Sequence, residues 1–538
     1  MTTRWQHDVP PPVRPVRGRR RPGLWISLAS ALALVVVLAT VLVVLARPWE
    51  GLLRGGIGID PNRPRYDISA RVEPANGRVR GTVTVRVPAG VGGDTLRFRV
   101  VPNAEGYDSR FRLGQVTVDG DRVEPTLTNT LLTVPRSGRG TVVVSIGFAY
   151  SVVEGKTSPL AALGLMPSDG PMVAGLLARY DTGMSMGHWY PFLVADGAAA
   201  DPTLPDTGDV GNAPVSDVRA RITVLQGYAV ISGGEANGTK DEGGNTVVDE
   251  RATGIRELSL VVSDELKPVT REASGVTVRV WAPADSASEA DEVATVTARA
   301  LGVFDERFGA YAWPALDVVQ APMPPGVGGM EWQGMFWVGS EIFHASMPGL
   351  PKELGGVLGQ LGGMRDVREF TVVHELAHQW WQGMIGVDQT TDEVVDEPLA
   401  QYSSCVYFAE TRPSDWKEVC DKNTSLNYRA MRTMGGEDAA ADRPTSRFTD
   451  DKQYAGVVYG KAPNYYRALE ELMGRDAVLA GLRTLVEERS MDVVQPADVV
   501  AALQSKAPAG KKAEVERLWR HWMHETHGDD DVGTEIMP

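Results

Sequence analysis

Two histidines and a carboxylate constrain this chain more than any other feature. His374-Glu375-Leu376-Ala377-His378 is followed by Glu397, 19 residues after the second histidine. Histidines four apart on a helix project from one face, about one turn apart along the axis. Their imidazoles can grip one metal ion while Glu375 stays free to handle a proton. The segment Arg368–Gln382 reads as that helix, with Phe370, Val373, Ala377 and Trp380 or Trp381 on its apolar side. A catalytic zinc site takes three protein ligands and keeps one position open, and Glu397 supplies the third. A fold holding this pattern must bring two helices face to face at one ion. Asp396-Glu397-Pro398 also reads as the start of the second helix, with Asp396 as cap and Pro398 in the first turn. Capping does not exclude ligation.

The 538 residues are enough for two to four domains. Leu24 to Ala46 is a run of 23 uncharged residues, long enough to cross a bilayer as one helix. Arg4, Arg14, Arg17, Arg19, Arg20 and Arg21 precede it, against the single acid Asp8. The positive-inside rule then makes residues 1–23 a cytoplasmic basic arm and 24–46 a transmembrane anchor, and places the rest outside. A cleaved signal peptide is the alternative; the run exceeds the usual length and no small-x-small site ends it. The chain has 54 basic and 69 acidic residues, and seven of the arginines lie before residue 50 with Asp8, so the outer part carries a formal −21. That excludes nucleic acid as a natural partner and fits a soluble extracytoplasmic body.

Residues 47–65, rich in Gly, Pro and Arg, read as a linker. From Tyr66 the pattern alternates: Tyr66, Ile68, Ala70 and Val72, a hairpin signal at Asn76-Gly77, then Val79, Val83, Val85 and Val87. Similar alternation recurs at Val142–Tyr150, Val218–Val224 and Val276–Val280, so residues 66–282 read as an antiparallel β-rich domain. Pro283 and Ser286 open a helical stretch to about Phe308, and Leu316–Val319 and Met335–Val338 read as short buried strands. Gly349–Gly363 reads as a glycine-rich, mobile connection into the zinc helix. Trp416–Met434, Lys461–Met473, Asp476–Glu488, Pro496–Leu503 and Ala513–His524 read as helices, and 529–538 as a disordered acidic tail. The fold class is α+β: an N-terminal transmembrane helix, a β-rich domain, a catalytic domain over 283–410 and its helical part over 411–528.

Cys405 and Cys420 are the only cysteines and fall on the outer side. An oxidising compartment permits a bond stapling the helices on either side of Thr411-Arg412-Pro413-Ser414, worth on the order of 3 kcal/mol. Two unpaired buried thiols are the alternative.

The HELAHQWW segment, the Glu397 spacing and the strand-rich front half together resemble the aminopeptidase N family of gluzincin peptidases over roughly residues 66–528. YDISARVEPANGRVRGTVTVRV is similar to the opening hairpin of that family's saddle-like β domain, and VERLWRHWMHETHG to the end of the catalytic module in shorter relatives. The resemblance implies a thermolysin-like catalytic domain without the large C-terminal superhelical domain. It implies one zinc per chain, held by His374, His378 and Glu397, with Glu375 as general base. Tyr459-Gly460-Lys461-Ala462 matches the family's Tyr-x-Lys-Gly except at its last position, which implies Tyr459 as oxyanion donor, with Tyr454 second. Gly328-Gly329-Met330-Glu331-Trp332 is a partial counterpart of Gly-Ala-Met-Glu-Asn, the motif whose backbone lies along the substrate and whose glutamate, here Glu331, binds the free α-amine. Trp332 replaces the asparagine. The family's second amine-binding acid falls near Asp181-Thr182, which makes Asp181 a candidate.

The implied activity is a membrane-anchored zinc aminopeptidase acting on peptides outside the membrane. The alternatives are a zinc endopeptidase of the same fold and a non-catalytic ectodomain that binds a partner. His521, His524 and His527 recur every third residue and read as a solvated helix end rather than a second metal site. His188 and His344 are single histidines near which the sequence shows no partner.

Overall fold

The tight hairpin at Asn76-Gly77 seeds the largest sheet. Gly77 closes the turn at φ +67°, a left-handed conformation that favours glycine. The turn pairs Arg65–Glu73 with Arg78–Val87, from Arg65 opposite Arg86 to Glu73 opposite Arg78. Alternation then buries Tyr66, Ile68, Ala70 and Val72 on one face. In this computed structural model, which describes residues 57–136, 138–155, 173–198, 200–211, 213–324, 327–345 and 363–536, the hairpin sits in an eight-stranded sheet. The order is Glu235–Glu242, Asn245–Ile255, Ser216–Leu225, Arg65–Glu73, Arg78–Val87, Val142–Ser151, Arg112–Val118 and Asp121–Arg122. Two four-stranded sheets complete the front half.

The front half is not wholly antiparallel as expected: Arg65–Glu73 and Ser216–Leu225 run parallel. The chain between them leaves through the two smaller sheets, a connection long enough to return a strand in the same direction. The sheet boundary also falls earlier than residue 282. Lys267–Ala273 and Val276–Ala282 form a hairpin that joins a second, five-stranded sheet ordered 267–273, 276–282, 315–321, 335–339, 329–332. Helix α1, Ala287–Phe308, is the crossover between the parallel strands Val276–Ala282 and Ala315–Ala321.

Two further helices carry the sequence signature: α2, Met364–Ala377, and α3, Glu393–Thr411. α2 ends at Ala377, with His378 as its C-cap and five residues before the expected Gln382, and the chain turns through Gln382 at φ +94°. Trp380 and Trp381 leave the helix as anchors. Trp380 packs on Phe304 and Trp381 on Phe308 of α1, with centroids 5.6 and 5.1 Å apart, and Trp381 Nε1 donates to Ser403 Oγ of α3 at 2.8 Å. Cys405 and Cys420 are joined, which fixes α3 to the helix Trp416–Asn423.

Two helical expectations, and that for the tail, change in detail. Trp416–Met434 is two helices broken at Thr424, whose Oγ1 donates to the Cys420 carbonyl at 2.7 Å and draws the backbone out of helix. Ala513–His524 begins at Lys512 as an α-helix and widens to a π-helical turn over Arg520–His524. The start of the acidic tail is docked rather than disordered: Asp529 Oδ1 accepts from Tyr428 Oη at 2.8 Å and from Arg432 Nε at 2.6 Å. Residues 1–56, with the anchor at 24–46, and the glycine-rich stretch up to 362 lie outside the described residues. Among the described residues no helix is long and apolar enough to cross a membrane.

Candidate metal centre

α2 presents His374 and His378 one turn apart, and α3 sets Glu397 opposite them. His374 Nε2 lies 3.1 Å and His378 Nε2 3.5 Å from Glu397 Oε2, and the two Nε2 atoms are 3.1 Å apart. Glu397 Oε2 is buried and has no hydrogen-bond partner. An orphaned buried carboxylate oxygen is costly, and a cation where the three lone pairs converge removes that cost. Two imidazoles and a carboxylate are the donor set of a catalytic zinc site, so these residues fit the ion the sequence implies.

Asp396, read from sequence as a helix cap, does something else. α3 begins four residues earlier than Glu397, after Asp392, which leaves Asp396 and Pro398 inside the helix. Asp396 Oδ1 lies 2.6 Å from His378 Nδ1, which fixes Nε2 as the nitrogen whose lone pair faces Glu397. Asp396 Oδ2 accepts from Gln389 Nε2 at 2.8 Å, and the same Nε2 donates to Glu331 Oε1 at 2.7 Å. Glu331 is thus wired through Gln389 and Asp396 to His378. No sequence signal pointed to Gln389; Asp396 was visible, but its capping role was the simpler reading.

Residues 328–332 lie beside the end of α2. Gly329–Trp332 is the edge strand of the five-stranded sheet, and its turn is pinned by Gln379 of the α2 end, whose Nε2 donates to the Trp332 carbonyl at 2.8 Å and whose Oε1 accepts from Gly334 N at 2.9 Å. Gly328 O accepts from Gly339 N at 2.8 Å. Glu375 lies against Gly329: a β-carbon there would stand 2.6 Å from Glu375 Cγ. Met330 and Glu331 are buried. Trp332 fills space the fold leaves for it, packed on His188 and Trp337 at 5.0 and 5.2 Å, above Gly187, where a β-carbon would meet its ring at 2.6 Å. A cavity of about 20 Å³ lies behind this strand, lined by His188, Glu257, Glu331, Gln333 and Gln389 among others. A larger shallow hollow of about 400 Å³, over Arg71, Arg80 and Phe148 on the eight-stranded sheet, touches none of the site residues.

Tyr459 stands on a π-helical segment, Ala455–Lys461, its ring centroid 5.9 Å from that of His374. Single π turns recur at functional sites because they re-aim a side chain. Gly460 allows the segment to press on the neighbouring helix, since a β-carbon would lie 2.5 Å from Tyr428 N. Burial and the Glu397 charge hold the Tyr459 hydroxyl well above its ordinary pKa, so it stays a donor. Tyr454 is committed elsewhere, donating to Glu393 Oε1 at 2.6 Å.

Asp181 is exposed on the turn between Leu177–Tyr180 and Gly183–Met186 and is not part of this cluster. The acid that comes from the front half is Asp209. Its carboxylate groups with those of Glu393 and Glu397 within 4.8 Å, and burial followed by the charge on Glu331 raises its pKa well above the usual range. His188 pairs with Glu257 at 2.8 Å, and His344 Nε2 lies 3.0 Å from Gln320 Nε2; neither joins the three ligand atoms.

The charge balance asks for a cation. Burial raises Glu375 well above the carboxylate range and Glu331 up to about 7. Burial also opposes charge on His378, yet Asp396, Glu331 and Glu397 together hold its pKa well above normal. Burial works to raise Glu397 too, but the two histidines outweigh it and keep the carboxylate ionised.

Residues 293–522 match the Peptidase family M1 domain. The chain is 22% identical over 256 residues to Aminopeptidase N of Streptomyces lividans, covering 46% of this chain and 27% of that protein. It is 23% identical over 261 residues to Endoplasmic reticulum aminopeptidase 1 of Homo sapiens, covering 47% and 26%, and 26% identical over 222 residues to the Thyrotropin-releasing hormone-degrading ectoenzyme of Rattus norvegicus, covering 40% and 20%. The chain therefore spans about a quarter of the length of the curated relatives it matches. Among solved structures, the M1 zinc metallopeptidase from Deinococcus radiodurans superposes with a TM-score of 0.58 at 17% identity, over 89% of this chain and 95% of that one. The shared fold is mixed α+β, β-rich in front and helical behind.

Proposed function

We propose that this chain, whose residues 293–522 are a peptidase family M1 domain, is a zinc metallopeptidase that releases N-terminal residues from peptides. The observation that carries the reading is the convergence of His374 Nε2, His378 Nε2 and the partnerless Glu397 Oε2, with Glu375 next to His374 on α2. His374, His378 and Glu397 would hold the zinc ion, which when bound would supply Lewis-acid activation of water and of the carbonyl. Glu375 accepts the proton of the attacking water and passes it to the leaving amine. Tyr459 donates to the developing oxyanion.

The free edge of Gly329–Trp332 can pair with the substrate backbone as an added strand. Glu331 then meets the α-ammonium, and Asp209, reaching over from the front half, is the second carboxylate in range. This assigns to Asp209 the role the sequence offered to Asp181.

We also infer that residues 24–46 anchor the chain and that the catalytic region lies on the outer side of the membrane. The arginines before the run and the joined Cys405 and Cys420, a bond that persists in oxidising compartments, support this reading.

Chelation followed by zinc return tests the chemistry. Metal-free protein is expected to be inactive and zinc to restore it, while Glu375→Gln binds the same zinc and stays inactive. Activity that survives chelation, or full activity in Glu375→Gln, would contradict the assignment.

A further inference from the structure

The C-terminal histidines lie at a partly exposed helix end, but two of them are drawn together there. The chain leaves the π-helical turn Arg520–His524, doubles back through Glu525 to His527, and enters the short turn Gly528–Asp531. This reversal stacks the imidazoles of His521 and His527, with centroids 4.7 Å apart and planes 9° from parallel. Both face one oxygen: His521 Nδ1 is 3.5 Å and His527 Nε2 3.2 Å from Glu525 Oε2. Asp531 Oδ2 lies 2.7 Å from the other nitrogen of His521, Nε2. The regular spacing misled in one respect, because His524 turns to Asp442, 3.5 Å away, and takes no part.

The same geometry suits a metal ion. A proton shared between His521 Nε2 and Asp531 leaves His521 Nδ1 with its lone pair toward Glu525 and His527. That is how a carboxylate orients a metal-ligating histidine. N–H donation from both rings to Glu525 would satisfy the same distances; with the His521 proton on Nε2 toward Asp531, the Nδ1 lone pair faces Glu525 instead. A divalent cation accepts all three lone pairs at once. The three ligand atoms lie within 4.8 Å of one another, a span that small side-chain movements close around one ion.

We propose that His521, Glu525 and His527, oriented by Asp531, form a second divalent-cation site that takes zinc, separate from the His374–His378–Glu397 centre. Two imidazoles and a carboxylate favour zinc over magnesium or calcium. The ligand side chains are about a third to a half exposed, so water completes the coordination and the affinity is lower than at the buried centre. The site is tied to the catalytic region through the backbone only. The Glu525 carbonyl accepts from Lys461 Nζ at 3.0 Å, and Lys461 sits two residues after Tyr459 on the same π-helical segment.

The test counts zinc. Full-length protein in mild detergent is stripped with a chelator, dialysed against micromolar free zinc, and its metal measured by mass spectrometry. Wild type is expected to hold two zinc ions. His374→Ala/His378→Ala is expected to hold one and lose peptidase activity; His521→Ala/His527→Ala is expected to hold one and keep it. In the His374→Ala/His378→Ala background added zinc should raise the melting temperature, and adding Asp531→Asn should weaken that response about tenfold in zinc concentration. A single zinc in wild type, or a second zinc that persists in His521→Ala/His527→Ala, would overturn the proposal. Because the count does not depend on catalysis, it stands or falls separately from the peptidase assignment.

Discussion

His378 Nδ1 and Asp396 Oδ1 lie 2.6 Å apart, so the residue before one proposed zinc ligand orients another. In the proposed centre α3 would supply Glu397 to the ion and, one position earlier, hold the imidazole of His378 with Nε2 free for it. Asp396→Ala is expected to weaken zinc binding about ten- to a hundredfold. Asp396→Asn, whose amide oxygen still accepts from Nδ1–H, should lose less. Zinc competition with a chromophoric chelator measures both.

Tyr459 is asked to act only once charge has built up on the substrate oxygen. Tyr459→Phe removes one hydroxyl and leaves the packing against His374 and Tyr454. kcat is expected to fall about a hundred- to a thousandfold with KM nearly unchanged and zinc content intact. Steady-state kinetics on a chromogenic aminoacyl substrate distinguishes this from lost binding.

Gly329 holds a place no other residue can take without displacing the base. With a β-carbon only 2.6 Å from Glu375 Cγ, Gly329→Ala must shift the edge strand or the carboxylate. Activity should drop about a hundredfold while zinc stoichiometry is unchanged. Equal activity in the variant would show that Glu375 has slack.

Much of this was legible in the chain because helical and strand periods are legible. Four-residue spacing put His374 and His378 on one face whatever the rest of the fold did, and alternation from Tyr66 to Val87 located the first hairpin. What stayed hidden depended on contacts far apart in sequence. Val276–Ala282 alternates like the front strands, and only its pairing with Ala315–Ala321 assigns it to the second sheet. Asp209 is 188 residues before Glu397, on a loop with no periodicity, and reaches the site because Thr207 Oγ1 donates to Asp451 Oδ1 at 2.7 Å and pins that loop to the helical part. Asp181 was chosen by position along the chain, which cannot reveal which way a turn faces. The break at Thr424 was missed because a side chain competing for a backbone carbonyl leaves no mark in a hydrophobic pattern.

Glu250 gives a pH dependence away from the metal. Burial, the largest influence, pushes its carboxyl from an ordinary 4.5 up to about 7. The folded state therefore holds a proton that the unfolded chain releases near 4.5. Its contribution to stability is complete below that pH and is lost as pH rises through about 7, up to about 3 kcal/mol in all. Urea midpoints of wild type should fall between pH 5 and pH 8 by more than those of Glu250→Gln; parallel curves would contradict the assignment.

The central claim is N-terminal cleavage by the His374–His378–Glu397 centre with Glu331 as amine anchor. A mixed peptide library, half of it N-acetylated, incubated with the zinc-loaded full-length protein and read by mass spectrometry, tests it in one measurement. The account predicts loss of single N-terminal residues from free peptides only, absent in Glu375→Gln and sharply reduced in Glu331→Gln. Internal cleavage of acetylated peptides at a comparable rate would contradict it and make the protein an endopeptidase. No cleavage sensitive to Glu375→Gln would contradict the peptidase assignment itself.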